Sequence, residues 1–404
     1  MAETEHIKPE LLRWARETAG LTVAEAAEKL GLNDSAKMSA VEKLQALEDG
    51  KRALASTTLR KIATLYRRPL IAFYLSAPPP RGDRGEDFRS STTASARENG
   101  TLDTLLRDIR ARQQMVRQVL EDTDEAERRV FVGSARIEDG PPKVAASIRA
   151  TLGITEDQQR HSKDARALFM LLRDASERAG VYVLLRGDAG SHHSDIGEDV
   201  FRGFALADDL APFIVINDND AVAARSFTLL HELAHIWLGA SGVSGPLRGV
   251  PENVVERFCN DTASDFLLPP LAISNHAWLL RAPLNDVTDA IRNLAEVWKV
   301  SEPAIAYRFA KEGWIERGVA SLLFDRYLNR WRREKQREKD NRQPDDKGPT
   351  YYMMRRHQLG KGLLGVVKRA LREEALTHTK AAKILGVGAA SISTLLQEKH
   401  GTAG

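Results

Sequence analysis

The segment FTLLHELAHIWLG, residues 227–239, constrains the fold more than any other stretch of the chain. It places two histidines four positions apart, with a glutamate directly after the first. On a helix, residues i and i+4 lie one turn apart on the same face, so His231 and His235 can converge on one point. Two interpretations are open. The segment is either a metal-binding helix or an ordinary buried helix with two hydrogen-bonded histidines.

The metal-binding interpretation has a definite chemistry. Neutral imidazoles suit zinc, and two of them with one carboxylate leave a fourth coordination position open for water. Glu232 is displaced round the helix from His231, which is where a zinc peptidase of this type carries its general base. The metal lowers the pKa of water towards neutrality, and the carboxylate accepts the proton.

A third ligand has to come from another element, and VVERFCNDTASDFLLPP, residues 254–270, offers one. Glu256 stands at the start of a predicted amphipathic helix, and Asn260 follows one turn later. An amide there could fix the ring of a ligating histidine. The alternative for Glu256 is an ordinary solvated helix residue. Cys259 is better explained as a small residue facing the core than as a ligand.

The residues before this motif predict an α+β domain. Residues 164–180 form an amphipathic helix, and Gly180 ends it. Three short β-branched runs follow, VYVLL, FRGFALA and PFIVIN, and each is bounded by residues typical of turns. PFIVIN could be an edge strand along which an extended peptide substrate pairs, or a central strand without a free edge.

Three segments together resemble the ImmA/IrrE-type zinc metallopeptidases: GFALADDLAPFIVIND, FTLLHELAHIWLG and ERFCNDTASDFLLP. The resemblance runs from about residue 140 to 320. It implies Zn²⁺ as cofactor and four functional residues, namely the ligands His231, His235 and Glu256 and the base Glu232. Cys259 and Thr262 stand where the family more often has alanine and phenylalanine, which affects packing and not chemistry.

A second pattern occurs at both ends of the chain. LTVAEAAEKLGL (21–32) and LTHTKAAKILGV (376–387) share the order of residues that begins a helix-turn-helix, and residues 294–315 repeat it more loosely. The N-terminal copy and its surroundings resemble the lambda-repressor-like (XRE) module. We expect the two later copies to act as packing domains.

The N-terminal module predicts a second helix at about 23–30 and a recognition helix at about 39–48. Ser39, Lys43 and Gln45 are the candidate DNA-reading residues. Glu42, Glu48 and Asp49 would face phosphates poorly. Binding to DNA and binding to protein therefore both stay open, and the module is also compatible with a homodimer.

Composition limits the remaining possibilities. A chain of 404 residues is too long for one compact core. A net charge of +3 gives no overall attraction to nucleic acid or membrane. A single cysteine, no secretory signal and no long apolar run indicate a cytoplasmic protein without a membrane segment.

We therefore predict a multidomain, mostly α protein with a helix-turn-helix domain, an α+β zincin-like metallopeptidase core and a helical C-terminal domain. The predicted boundaries are 1–78 for the helix-turn-helix domain, 79–139 for a linker and connecting helix, 140–285 for the peptidase, 286–330 for a helix-turn-helix-like segment, 331–350 for a charged linker, and 351–404 for the C-terminal helices.

The expected function is zinc-dependent cleavage of a protein. The resemblance implies a repressor or antitoxin-like substrate, whose cleavage switches gene expression or a stress or defence response. The alternative is a DNA- or partner-binding regulator that uses the peptidase fold as a sensor. The group that stabilises the oxyanion is left open among His192, His193, Arg225 and His276. The helical segments on either side of the core are candidates for a lid.

Overall fold

The computed structural model describes residues 7–79, 86–87, 95–190, 194–245, 251–341 and 349–397. These residues form two compact units. The first unit takes in Met1–Arg84, Thr92–Ile109 and Asp188–Ile196, and the second takes in Gly85–Ser91, Arg110–Gly187 and Gly197–Gly404. Within the described part of the chain, no helix combines the length and the apolar character needed to cross a membrane.

The first unit is built from helices. Its elements are α1 (Pro9–Thr18), α2 (Val23–Lys29), α3 (Ala40–Glu48), α4 (Ser56–Leu65), a 3₁₀ helix (Leu70–Tyr74) and the first part of α5 (Ala96–Asp122). Capping boxes, Thr22 with Glu25 and Ser39 with Glu42, satisfy the first backbone N–H groups of α2 and α3. The two helices agree with those predicted at 23–30 and 39–48. The helix-turn-helix assignment itself stays a prediction.

A buried ion pair ties α1 to α3. Arg16 Nε donates to Glu48 Oε1 at 2.7 Å and Arg16 Nη2 donates to Glu48 Oε2 at 3.0 Å, so the pair is bidentate. Arg16 Nη1 also donates to the Leu21 carbonyl. The sequence suggests that Glu48 is a surface charge unfavourable to phosphate. In the structure its charge is buried and neutralised, and it holds α3 in place.

Among the described residues, the second unit contains five strands and most of the α-helices. The strands are β1 (Glu86–Asp87), β2 (Tyr182–Leu185), β3 (Gly203–Leu206), β4 (Phe213–Ile216) and β5 (Gly242–Ser244). The remaining helices are α6 (Pro141–Leu152), α7 (Glu156–Arg160), α8 (Ala165–Arg178), α9 (Arg225–Leu238), α10 (Val254–Leu267), α11 (Pro270–Ile273), α12 (Leu284–Trp298), α13 (Glu302–Lys311), α14 (Arg317–Asp340), α15 (Tyr351–Leu359), α16 (Lys361–Arg372), α17 (His378–Leu385) and α18 (Ile392–Leu396).

The strands form one mixed sheet in the order β1-β5-β3-β4-β2. Strand β3 pairs antiparallel with β4 and with β5, whereas β2 pairs parallel with β4, and β1 pairs parallel with β5. Strand β4, which contains most of PFIVIN, therefore has a partner on each side. The possibility that PFIVIN is an edge strand for substrate is wrong, and the central-strand alternative holds.

Helix α9 is buried on every side. Each residue from Ser226 to Trp237 is buried, between the sheet and helices α6, α8 and α10. A helix that is apolar around its whole circumference belongs inside a core. Gly239, at a positive φ of 68°, ends the helix. Any polar side chain on α9 must therefore find its partners within the protein.

A buried pair on α8 contacts the C-terminal helices. Arg173 and Glu177 contact each other at 3.1 Å. Glu177 Oε2 accepts the N–H groups of Lys361 and Gly362, at 2.7 and 2.9 Å, and so caps α16. The Arg173 guanidinium donates to the carbonyls of His357 and Gln358 at the end of α15. The sequence suggests a charged linker at 331–350, but α14 continues through its first part to Asp340.

Replacing the glycine at this contact tests how tightly it is packed. Gly360 has a φ of +79°, and a Cβ there would collide with the ends of Glu177 and Arg173. Gly313 has a φ of +73° and open space around it. We expect Gly313→Ala to lower the free energy of unfolding by about 1 kcal/mol through backbone strain alone. Gly360→Ala should lower it by about 3 kcal/mol. Chemical denaturation followed by circular dichroism compares them, and equal losses would contradict the contact.

Candidate metal centre

Helix α9 brings two histidine rings together in the core. His231 and His235 lie one turn apart, and their Nε2 atoms are 3.1 Å from each other. Both side chains are buried, so bulk water cannot hydrate these nitrogens. Two imidazole nitrogens that face each other at this distance need a shared proton or a cation between them.

A carboxylate from α10 joins them, 21 positions further along the chain. Glu256 Oε1 lies 3.0 Å from His235 Nε2 and 3.4 Å from His231 Nε2. The side chain of Asn253 caps the helix by accepting the N–H groups of Val255 and Glu256. This capped first turn sets the position of Glu256. The ligand atoms of His231, His235 and Glu256 all lie within 4.8 Å of one another.

Asn260 orients one of the rings. Its Oδ1 lies 2.8 Å from His231 Nδ1. An amide oxygen only accepts, so Nδ1 carries a proton and Nε2 points into the cluster, where its lone pair would serve a metal. The one-turn spacing of Glu256 and Asn260 predicts this contact, and the structure brings the two side chains to the same ring.

The charges of the cluster favour a cation. Burial lowers the pKa of His231, but the Glu256 carboxylate outweighs it and raises that pKa to about 9. Burial also lowers the pKa of His235. Burial raises the pKa of Glu256, but His231 outweighs it and brings that pKa down to about 2. Without a metal, an imidazolium proton therefore supplies the positive charge beside Glu256.

Glu232 lies next to the cluster without a well-formed hydrogen bond. It is fully buried, and neither carboxylate oxygen has a partner at hydrogen-bond geometry. Burial raises its pKa to about 8, with His231 and the nearby Ser244 hydroxyl opposing the shift and Glu256 adding to it. The carboxylate lies against Gly203, where a Cβ would come within 2.7 Å of Oε1, so this strand position leaves room only for glycine.

These groups fit zinc. Two imidazole nitrogens and one carboxylate oxygen form the donor set of a zinc site that keeps a coordination position open. The unpaired Glu232 carboxylate offers an acceptor for a water molecule, which would satisfy an otherwise costly buried oxygen.

Ser244 is the polar residue that sequence reasoning missed. It ends β5, is buried, and its Oγ lies 3.1 Å from His231 Nε2. The strand is three residues long, so no alternation of polar and apolar residues could reveal it. Serine is also common in turns, and the sequence around it, GVSGP, suggests a turn.

The other candidates for the oxyanion lie elsewhere. Arg225 donates to the carbonyls of Asp218 and Asp220. His276 stacks on Trp314 and contacts the Ile273 carbonyl. His192 and His193 fall outside the described residues. Cys259 packs in the hydrophobic core, and burial raises the pKa of its thiol.

The DNA-reading candidates of the first unit are partly occupied. The Ser39 hydroxyl caps α3, and Lys43 Nζ donates to the Asn33 carbonyl at 2.6 Å. Gln45 is exposed. Two of the three side chains are thus engaged within the unit, which leaves less for a base edge than the sequence suggests.

One comparison bears on the cluster. Residues 177–310 match the Peptidase_M78 family, described as the IrrE N-terminal-like domain. The matched segment contains His231, Glu232, His235, Glu256 and Asn260, and it supports the ImmA/IrrE resemblance for this part of the chain. It does not include the N-terminal helices. No curated protein and no solved structure matches the chain.

Zinc binding should displace protons. At pH 7 the metal-free cluster holds a proton on His231, and a second acid, Glu232, is largely protonated. A cation lowers both pKa values. We expect the Glu232→Gln variant to release about one proton per zinc bound, and the wild type to release more. Calorimetric titration in buffers of different ionisation enthalpy counts them. The number of protons released should decline above pH 9, where His231 is already deprotonated. If Glu232→Gln released no proton at pH 7, the assignment of a proton to His231 would be contradicted.

Removing the orienting amide should weaken metal binding. We expect Asn260→Ala to lower zinc affinity by about 10- to 100-fold, because the His231 ring loses the acceptor that fixes its tautomer. Cys259→Ala, at the adjacent core position, is the matched control and should leave the affinity unchanged. Competition with a chromogenic chelator measures both, and equal affinities for the two variants would mean that Asn260 does not hold the ring.

Proposed function

We propose that this protein is a zinc-dependent endopeptidase in which His231, His235 and Glu256 hold the metal and Glu232 is the general base. The observation that carries the proposal is the fully buried Glu232 carboxyl group, which has no well-formed hydrogen bond, beside three convergent ligand atoms. A core that needed only packing would not retain a carboxyl group at a place where burial raises its pKa to about 8. The match of residues 177–310 to a peptidase family supports the same function.

Zinc bound at this cluster would polarise the scissile carbonyl and lower the pKa of a water molecule. Glu232 accepts the proton of that water as its oxygen bonds to the carbonyl carbon. The same carboxyl then gives the proton to the departing amide nitrogen as the carbon–nitrogen bond breaks. A pKa of about 8 for Glu232 in the metal-free site falls as a cation approaches, which brings it towards the range where one group can serve as both base and acid.

The proposed substrate is a protein, and the resemblance makes a repressor or antitoxin-like partner the leading class. Its cleavage would switch gene expression or a stress or defence response. The N-terminal helices would select the target. The rival proposal is a DNA- or partner-binding regulator that keeps the peptidase fold as a sensor. Such a regulator has no use for the Glu232 carboxylate, so substitution at that position separates the two.

Metal content and cleavage together test the proposal. We expect about one zinc per chain in the wild type and in Glu232→Gln. His235→Ala and Glu256→Ala should lose the metal. Mass spectrometry of purified protein measures zinc. Mass spectrometry of new protein N-termini, in cells that express each variant, detects cleavage of any cellular protein and so needs no chosen substrate.

New N-termini should occur with the wild type and be absent with Glu232→Gln, which keeps the ligands and loses the base. A wild type without zinc would refute the metal site. New N-termini that persist in Glu232→Gln would refute the role of the base. If Glu232→Gln left an effect on transcription intact, the rival proposal would replace this one.

A further inference from the structure

A serine hydroxyl lies where the proposed reaction needs a hydrogen-bond donor. Ser244 pairs with Gly203 across the antiparallel strands β5 and β3. Side chains of directly opposed residues project from the same face of a sheet. The Glu232 carboxylate lies against Gly203 on that face. The Ser244 hydroxyl therefore stands between the proposed base and the ligand nitrogen of His231, 3.1 Å from the latter.

The packing of the sheet does not account for this hydroxyl. The Ser244 carbonyl already accepts the N–H of Arg202 and so completes the strand pairing. The side chain itself is buried and reaches into the cluster of ligand atoms. Its hydroxyl contacts His231 Nε2, the atom whose lone pair a metal takes, and it also lies close enough to the Glu232 carboxyl group to lower that group's pKa. Once that lone pair is used, the hydroxyl is left to donate to Glu232 or to another acceptor near the same point.

The reaction creates such an acceptor. Attack of water on the scissile carbonyl moves an electron pair onto the carbonyl oxygen, and a fixed donor within a dry site stabilises that charge strongly. Of the described side chains considered for this role, Arg225 and His276 are engaged elsewhere.

We propose that Ser244 donates the hydrogen bond that stabilises the oxyanion formed from the scissile carbonyl. This inference rests on the proposed function. It assigns the hydroxyl a direct contact with the reacting oxygen, and not a role exerted through His231 or Glu232. If Ser244 only positioned His231, its substitution would change metal affinity. If Ser244 only positioned Glu232, its substitution would have no effect once that carboxylate is removed.

Acetohydroxamate tests the contact in the absence of a peptide substrate, because its oxygens occupy open coordination positions of zinc and accept hydrogen bonds. Calorimetry would measure its affinity for zinc-loaded protein, and chelator competition would measure zinc affinity. We expect Ser244→Ala to weaken acetohydroxamate about 10-fold while zinc affinity changes less than about threefold. Ser244→Thr keeps the hydroxyl and should retain most of the binding.

Ser241→Ala is the matched control. Ser241 lies just before β5, and its hydroxyl accepts the Ala207 N–H at 2.9 Å instead of facing the cluster. It should leave acetohydroxamate affinity unchanged. The same Ser244→Ala substitution in the Glu232→Gln background completes a double-mutant cycle. A direct donor predicts that the roughly 10-fold loss persists there.

Four results would overturn the inference. Unchanged acetohydroxamate affinity in Ser244→Ala would remove the contact. A loss confined to zinc affinity would make Ser244 a support for the ligand. A loss that vanishes in the Glu232→Gln background would make it a support for the base. If the wild type binds zinc and any one of these three results is found, this inference fails and the proposed function stands. A wild type that takes up no zinc overturns the function and this inference together.

Discussion

Helix α9 buries three polar side chains, His231, Glu232 and His235, among apolar ones. The rest of the second unit has to compensate the free-energy cost of burying them. Burying a charged or strongly polar group without partners costs several kcal/mol. Helix α9 is therefore stable only with hydrogen-bond or charge partners for these side chains. Glu256 from α10 provides the compensating charge for the histidines. For Glu232, the nearby charge of His231 and the Ser244 hydroxyl compensate only in part, and burial still raises its pKa to about 8. The fold thus keeps a buried carboxyl group whose charged form is unfavourable, and the elements packed around it make its retention tolerable.

The neighbours of α9 fit this requirement closely. Strand β3 carries a glycine where any side chain would collide with Glu232, and α10 begins with a capped turn that fixes Glu256. Asn260, one turn later on the same helix, determines which nitrogen of His231 faces the cluster. One helix therefore supplies both a candidate metal ligand and the group that orients another candidate ligand. The geometry comes from rigid elements rather than loops, which keeps it in place before any metal arrives.

The sequence predicts the features that local periodicity controls, such as the shared face of two helix residues and the presence of strands. The spacing of His231 and His235 places them on one face in any helix, and the three β-branched runs announced β2, β3 and β4. Features that depend on distant partners were out of reach. Strand β5 is too short to show an alternation of polar and apolar residues, so the sequence does not reveal that Ser244 faces the site. The central position of PFIVIN follows from the order of the strands, which no single run reveals. The charge of Glu48 suggests a surface position, but Arg16 on another helix pairs with it, so Glu48 is buried.

The contact between α8 and the C-terminal helices also sets the order in which this chain can fold. The carboxylate of Glu177 and the first turn of α16 are separated by 184 positions, so this contact forms only after residues 361 and 362 have been made. Contacts of such separation slow folding, because a long loop must close before they form. The helices of the N-terminal segment rely on nearer neighbours. On the ribosome they can close while the later segments are still being made, whereas Glu177, which pairs with Arg173 on its own helix, meets α16 only after α16 itself has emerged.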